Sequence, residues 1–416
     1  MTGVSSQNPQ PVPQHCPTAR ELDDLELLLS GALAPLTSFN EPGSAVTLQL
    51  PEELVARHEI ELVDPEGLPL ARVTNDAGRW TPLGLSAAAY GPFRRLHLTP
   101  ADARTKYAGA TWTPLTDALT TDEIAELSAI EGPRVLLALT GRGTPDDLSP
   151  VGLVRASLAA ADLIGDTAVI AVPLASHGDA DADHALGTQV VQNYALDDQI
   201  RPLTTPDLTS RHARPDLSAY PEGIREVVEF DRPPLDQRGL VLFFTGLSGS
   251  GKSTLARELV DKVLEQGHRT VTSLDGDVVR RNLSAGLTFS REDRETNIRR
   301  IGWVAAEIAR HGGLAVVSPI APFDSTRQQV REYVEEAGGT FFLIHVATPL
   351  EECERRDRKG LYAKARQGLI PEFTGISSPY EEPEDADVRV DTTGHTVESA
   401  LSVVEKALEA AGLLAL

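Results

Sequence analysis

From Thr245 to Thr254 the chain reads TGLSGSGKST. Gly246, Gly251, Lys252 and Ser253 stand at the spacing of a phosphate-holding loop. Glycines let such a loop curl until successive N–H groups converge on phosphate oxygens. The apolar run VLFFT precedes it and the helix-like KSTLARELVDKVLEQG follows. Bound phosphates would therefore also face a helix N-terminus. Gly246, Leu247, Ser248, Gly249, Ser250, Gly251, Lys252, Ser253 and Thr254 are the candidate contacts for a nucleotide polyphosphate. Lys252 is expected to reach the β- and γ-phosphates, and Ser253 to coordinate Mg²⁺. A glycine-rich turn with a chance lysine is the blander alternative, and a strand before it with a helix after it argues against that.

Such a loop needs a sheet to hold it. From Val241 onward strand-like and helix-like segments alternate: VLFFT, RTVTSLD, GLAVVSP, TFFLIHV and DVRVDT, with amphipathic stretches between them. Five strands with crossover helices predict an α/β fold, a parallel sheet covered on both faces, of the P-loop NTPase type. No ABC-type signature segment and no Asn-Lys-x-Asp base reader accompany the loop. The segment is about one compact domain in size, which suits a small-molecule kinase that closes over two substrates.

Four further segments carry a resemblance: LDGDVVRRNL, LTFSREDRETNIRRIG, SPIAPFDSTRQQVR and KGLYAKARQGLIPEFTGISSPYE. In this order and spacing the chain from Leu240 to Leu416 resembles the adenylylsulfate (APS) kinase family. That family transfers the γ-phosphate of ATP to the 3′-hydroxyl of adenosine 5′-phosphosulfate. The resemblance implies that Asp275 takes the proton from the attacking hydroxyl, directly or through a metal-bound water, and shares Mg²⁺ with Ser253. Asp277 either joins that shell or caps the next helix. Arg280, Arg294 and Asn297 match acceptor-site residues, and arginine forks suit sulfate and phosphate oxygens. Phe289 and Phe373 resemble the walls around the acceptor base. Ile320 and Lys364 match further acceptor contacts. Lys359 to Glu381 looks like a mobile lid. Arg356 is a candidate to stabilise charge on the transferring phosphoryl group. Arg299 and Arg300 read better as surface charge. Where some members carry serine this chain has Ala321, so no phosphoserine can form there; a double displacement at this position is excluded and direct transfer is untouched.

The first half reads differently. AVTLQL, HEIELVD, LARVTND and RRLHLT resemble half-buried strands. PRVLLALTGRG, LSPVGLVRASLAAADLIG and TAVIAVPLA read as a βαβ unit. ARELDDLELLLSGALAPLTSF is similar to the opening of ATP sulfurylase, and the following strands to its PUA-like domain. The expected organisation is a tail at 1–18, a PUA-like domain at 19–130, a degenerate sulfurylase catalytic fragment at 131–203, a linker at 204–239 and an APS kinase domain at 240–416. The fragment lacks the sulfurylase Gln-x-Arg-Asn-Pro strand end and its paired histidines. Arg142 alone does not replace them, so the first half is expected to be inactive as a sulfurylase. His177 and His184 lie among aspartates, which reads as a solvated acidic loop rather than a metal site.

The 416 residues carry a net charge of −23. That balance disfavours nucleic acid and anionic membranes as partners. Cys16 and Cys353 form no CxxC pair, and no run is apolar enough to span a bilayer. The expected setting is cytoplasmic, with ATP and adenylylsulfate as small-molecule substrates. The chain is expected to form a homo-oligomer, a dimer, that docks a separate sulfurylase if the first half is a binding module. A bifunctional sulfurylase–kinase is the alternative.

Overall fold

The computed structural model describes residues 12–86, 91–144, 148–203, 216–288 and 290–414. The chain divides into two compact units, Met1–Arg232 and Pro233–Leu416.

The first unit contains β1 (Gln14–His15), α1 (Ala19–Ser30), α2 (Glu52–Val55), β2 (Glu59–Val63), β3 (Pro69–Asp76) and β4 (Arg79–Gly84). These strands form a sheet in that order, antiparallel from β2 to β4. There follow α3 (Pro100–Lys106), β5 (Thr111–Leu115), α4 (Thr121–Ser128), β6 (Arg134–Leu139), α5 (Pro150–Ile164), β7 (Thr167–Val172), α6 (Ala180–Ala195) and α7 (Glu222–Asp231). β5, β6 and β7 make a parallel sheet. A capping box between Thr18 and Glu21 starts α1, and Ser149 with Pro150 starts α5.

Several expectations change here. AVTLQL joins no strand, because side chains take its amides: Asn40 accepts from Leu48 N and Glu21 from Gln49 N. RRLHLT opens with a 3₁₀ turn at Arg94–Leu96 instead of a strand. The division at 130/131 cuts a sheet, since β5 pairs with β6 across it. One core runs from Leu25 and Phe39 through Trp80 and Trp112 to Val135 and Ile170. The expected linker contains α7, whose Ile224, Val227 and Val228 pack in the core on the α5 side.

The second unit contains β8 (Leu240–Thr245), α8 (Lys252–Gln266), β9 (Val271–Leu274), α9 (Gly276–Asn282), α10 (Arg291–Arg310), β10 (Leu314–Val317), α11 (Asp324–Glu336), β11 (Thr340–Val346), α12 (Leu350–Arg356), α13 (Leu361–Arg366), β12 (Val388–Val390) and α14 (Val397–Ala410). The sheet order is β12-β11-β8-β10-β9, parallel throughout. Every residue of β8 is buried, as a central strand covered on two faces requires. α8 and α14 cover one face and α10 and α11 the other. This is the α/β, P-loop NTPase-type sheet that the alternation predicts. The phosphate loop springs from the central strand.

Candidate active site

β8 ends at Thr245, and the loop runs from Gly246 to the first turn of α8. Gly246 (φ 148°) and Gly251 (φ 102°) hold backbone that side chains disfavour. A Cβ on Gly246 would meet the Val346 carbonyl oxygen at 2.5 Å, so the curl and its close approach both require glycine. Lys252 is buried, and its Nζ donates to the Leu247 carbonyl at 3.1 Å, across the mouth of the loop.

A cleft of about 590 Å³ opens over this loop. Ser248, Lys252, Ser253, Thr254 and Asp275 line it together with Arg356, Thr392, Gly394, His395 and Val397. Asp275 follows β9 directly and pairs with Arg257 at 3.8 Å. Asp277 lies in α9, and its side chain is outside the described residues, as is Phe289.

Side chains from beyond the motif lock the loop. The Thr348 and Thr392 hydroxyls lie 2.9 and 2.8 Å from the buried Ser250 carbonyl and 2.8 Å from each other. Tyr362 donates to the Ser248 carbonyl at 2.8 Å. Arg356 donates to the Thr392 hydroxyl (2.8 Å), the Thr392 carbonyl (3.0 Å) and the Gly249 carbonyl (3.4 Å), while Glu352 holds its Nε at 2.8 Å. Arg355 and Arg356 keep the Glu352 carboxyl down at about 2, ionised throughout the physiological range. The Arg356 guanidinium lines the cleft as a brace for the loop. The motif does not contain Thr348, Thr392 or Tyr362. The available signal was two threonines just beyond the carboxyl ends of buried parallel strands, where such sheets bind ligands.

The residues matched to the acceptor lie apart from this cleft's lining. Arg294 and Asn297 share a face of α10. Arg294 donates to Thr374 Oγ1 at 2.9 Å and to Ser378 Oγ at 3.2 Å. Its Nε and Asn297 Oδ1 are buried polar atoms without a hydrogen-bond partner among the described residues. Phe373, half-buried, begins the turn that carries Thr374 and meets Tyr362 edge-on at 5.0 Å. The Ile320 carbonyl accepts from Thr245 at 2.6 Å, which ties that loop to the end of β8. Arg280 donates to the Thr288 carbonyl at 3.3 Å, and Thr288 N donates to Asp293 at 2.7 Å, joining α9 to the start of α10. Lys364 is exposed in the last turn of α13. Arg299 bonds Thr296, and Arg300 the Leu283 carbonyl. Ala321 is buried at φ 45°, and its carbonyl accepts from Arg327 at 2.9 Å.

In the first unit the carboxyl ends of β6 and β7 hold carboxylates. Arg142 N donates to Asp23 at 2.7 Å. His177 Nε2 lies 3.2 Å from both oxygens of Asp24, and its Nδ1 lies 3.1 Å from Asp183. The expected solvated loop is therefore corrected. The His177 side chain is 3% exposed, and α6 starts within the stretch, capped by Asp179. His184 is exposed. Among the described residues no group of three or more His, Cys, Asp or Glu is arranged to hold a metal ion, and no helix is long and apolar enough to cross a membrane.

Residues 238–391 match the family model of adenylylsulphate kinase. A sulfate adenylyltransferase of Aspergillus fumigatus is 41% identical over 264 residues, covering 57% of this chain and 46% of that protein. The chain spans less than half the length of the curated relatives it matches. The hexameric APS kinase from Thiobacillus denitrificans is 25% identical, with a TM-score of 0.67 over 97% of this chain and 94% of that one. The APS kinase of Mycobacterium tuberculosis, solved with AMPPNP and APS, is 45% identical over 98% of its length and 41% of this chain, with a TM-score of 0.40. Residues 238–391 of the C-terminal unit thus form an adenylylsulphate kinase domain, the family of ATP-dependent kinases that this stretch matches.

Proposed function

We propose that this chain transfers the γ-phosphate of ATP to the 3′-hydroxyl of adenylylsulfate, giving ADP and 3′-phosphoadenylylsulfate. One observation carries the choice of acceptor. Arg294 Nε and Asn297 Oδ1 are buried without partners among the described residues, within one turn of α10 and beside the turn that presents Phe373. A cationic fork, an amide and an aromatic face suit an anionic nucleotide.

ATP lies with its phosphates in the 246–254 loop and its nucleoside toward Arg356, Thr392 and Val397. Lys252 exchanges its contact with the Leu247 carbonyl for the β- and γ-phosphates and stabilises the charge that builds there. Ser253 and Asp275, both in the cleft lining, are the residues that would hold Mg²⁺, and their hard oxygens fit it. When bound, the ion neutralises phosphate charge and orients the β- and γ-oxygens. Asp275 accepts the proton of the attacking hydroxyl, with Asp277 as the alternative member of the pair. Arg356 braces the loop through Thr392. With alanine at 321, no phosphoserine intermediate forms at that position.

The test is purified protein with Mg²⁺, ATP and adenylylsulfate, with chromatographic detection of a 3′-phosphorylated product. Product that appears with the parent and disappears with Lys252→Ala supports the reading, and no product rejects it. ATP and sulfate alone should release no pyrophosphate, because the first half lacks the Gln-x-Arg-Asn-Pro strand end and the paired histidines of a sulfurylase. Self-assembly, suggested by the hexameric relative, is read by light scattering.

A further inference from the structure

We propose that Thr374 and Ser378 are positioning residues: their hydroxyls carry the Arg294 guanidinium and make acceptor binding depend on an ordered 373–378 turn. The inference rests on the acceptor reading above and extends it to residues that do the holding.

The Arg294 side chain is 12% exposed, so it has little water to satisfy it. Its two terminal nitrogens go to the two hydroxyls, at 2.9 and 3.2 Å. Glu372 is more distant, at 3.7 Å, and 55% exposed, which makes it a weak competitor. Neutral hydroxyls fix the direction of a guanidinium and leave its charge intact for an anion, whereas a buried carboxylate would cancel it. The Phe323 ring at 5.8 Å adds a third neutral contact.

The turn that supplies the hydroxyls is tied to itself. Gly375 N donates to the Ser378 carbonyl at 2.8 Å, and Ile376, Ser377 and Ser378 N donate to the Phe373 carbonyl. Phe373 N donates to Ser377 Oγ at 2.9 Å. Thr374 is buried at 5% exposure. Phe373 in turn meets Tyr362, which donates to the Ser248 carbonyl of the phosphate loop. Arg294 thus sits at one end of a continuous set of contacts whose other end is the donor site. An acceptor that engages Arg294 stabilises the turn that offers Phe373 to its base.

The experiment compares the full chain with Thr374→Val/Ser378→Ala and with Thr374→Ser. In the double variant the KM for adenylylsulfate should rise about tenfold while the KM for ATP stays within about twofold, since hydrogen bonds to one charged group are lost. Thr374→Ser restores the hydroxyl and should return to the parent value. Amide exchange over 373–378 should be faster in Arg294→Ala than in the parent, with no substrate present. Added adenylylsulfate should slow it in the parent and not in the double variant. An unchanged KM for adenylylsulfate in the double variant overturns the proposal. So does Thr374→Ser behaving like a valine, or Arg294→Ala leaving exchange unaltered. If the parent itself makes no product from adenylylsulfate, the acceptor reading fails. The exchange result with Arg294→Ala then still decides whether the arginine and the turn are coupled.

Discussion

Both units place the carboxyl ends of buried parallel strands against a helix, and among the described residues only the second surrounds that position with a glycine-rich loop and a buried lysine. In the second unit β8 runs into glycines, a buried lysine and the N-terminus of α8. In the first, the loops after β6 and β7 meet Asp23 and Asp24 of α1 instead. The sheet geometry is shared, and a lysine-bearing glycine loop in one unit gives way to a buried cluster of acids and a histidine in the other. A parallel sheet offers a position for a ligand, and the side chains at that position decide whether phosphate is attracted or refused.

The largest effect expected is from removing the cation on the attracting side. Lys252→Ala should lower kcat by about 10² to 10³ in phosphoryl-transfer assays, because the charge acts on the reacting oxygens. The matching change in the first unit, Arg142→Ala, should leave kinase turnover within about twofold of the parent. Equal losses from both would end the contrast between the units. A smaller effect is expected from the brace. Thr392→Val removes a hydroxyl that bonds the Ser250 carbonyl and accepts from Arg356. It should cost about tenfold in kcat/KM for ATP, with Thr392→Ser close to the parent.

The contrast also marks what was legible in the sequence. The phosphate loop and the five parallel strands were readable because glycine spacing and apolar runs are local signals. Thr348, Thr392 and Tyr362 were not, because each reaches the loop from about a hundred residues away or more, through one hydrogen bond that no period encodes. Arg294 and Asn297 were visible as a pair on one helical face, whereas the partner that orients Arg294 lies 80 residues on. In the first half, AVTLQL alternates like a strand, yet Asn40 and Glu21 claim its amides before a ladder can form. His177 looked solvated because its acidic neighbours are close in sequence. Its deciding partner, Asp24, is 153 residues away.

That buried cluster supplies the smallest prediction and the finest test of the contrast. Burial raises Asp23 from 3.8 to about 7, outweighing the bond from Arg142 N that favours its ionised form. The carboxylates of Asp24 and Asp183 raise His177 above 6.5. Both folded-state values are raised, so both groups contribute stability that is complete at low pH and lost as pH climbs through the folded value. For Asp23 the window runs from about 4 to about 7, and for His177 it lies above 6.5. Asp23→Asn keeps an oxygen for Arg142 N and removes the ionisation. The variant should match the parent near pH 4 and be more stable at pH 8 by on the order of 2 kcal/mol, about 5 °C in midpoint. Thermal denaturation at the two pH values, with amide exchange over Ala19–Ser30 to assign the change to α1, measures it. A variant less stable than the parent at pH 8 would mean that the Asp23 carboxylate is stabilised where it stands, against the burial that raises it.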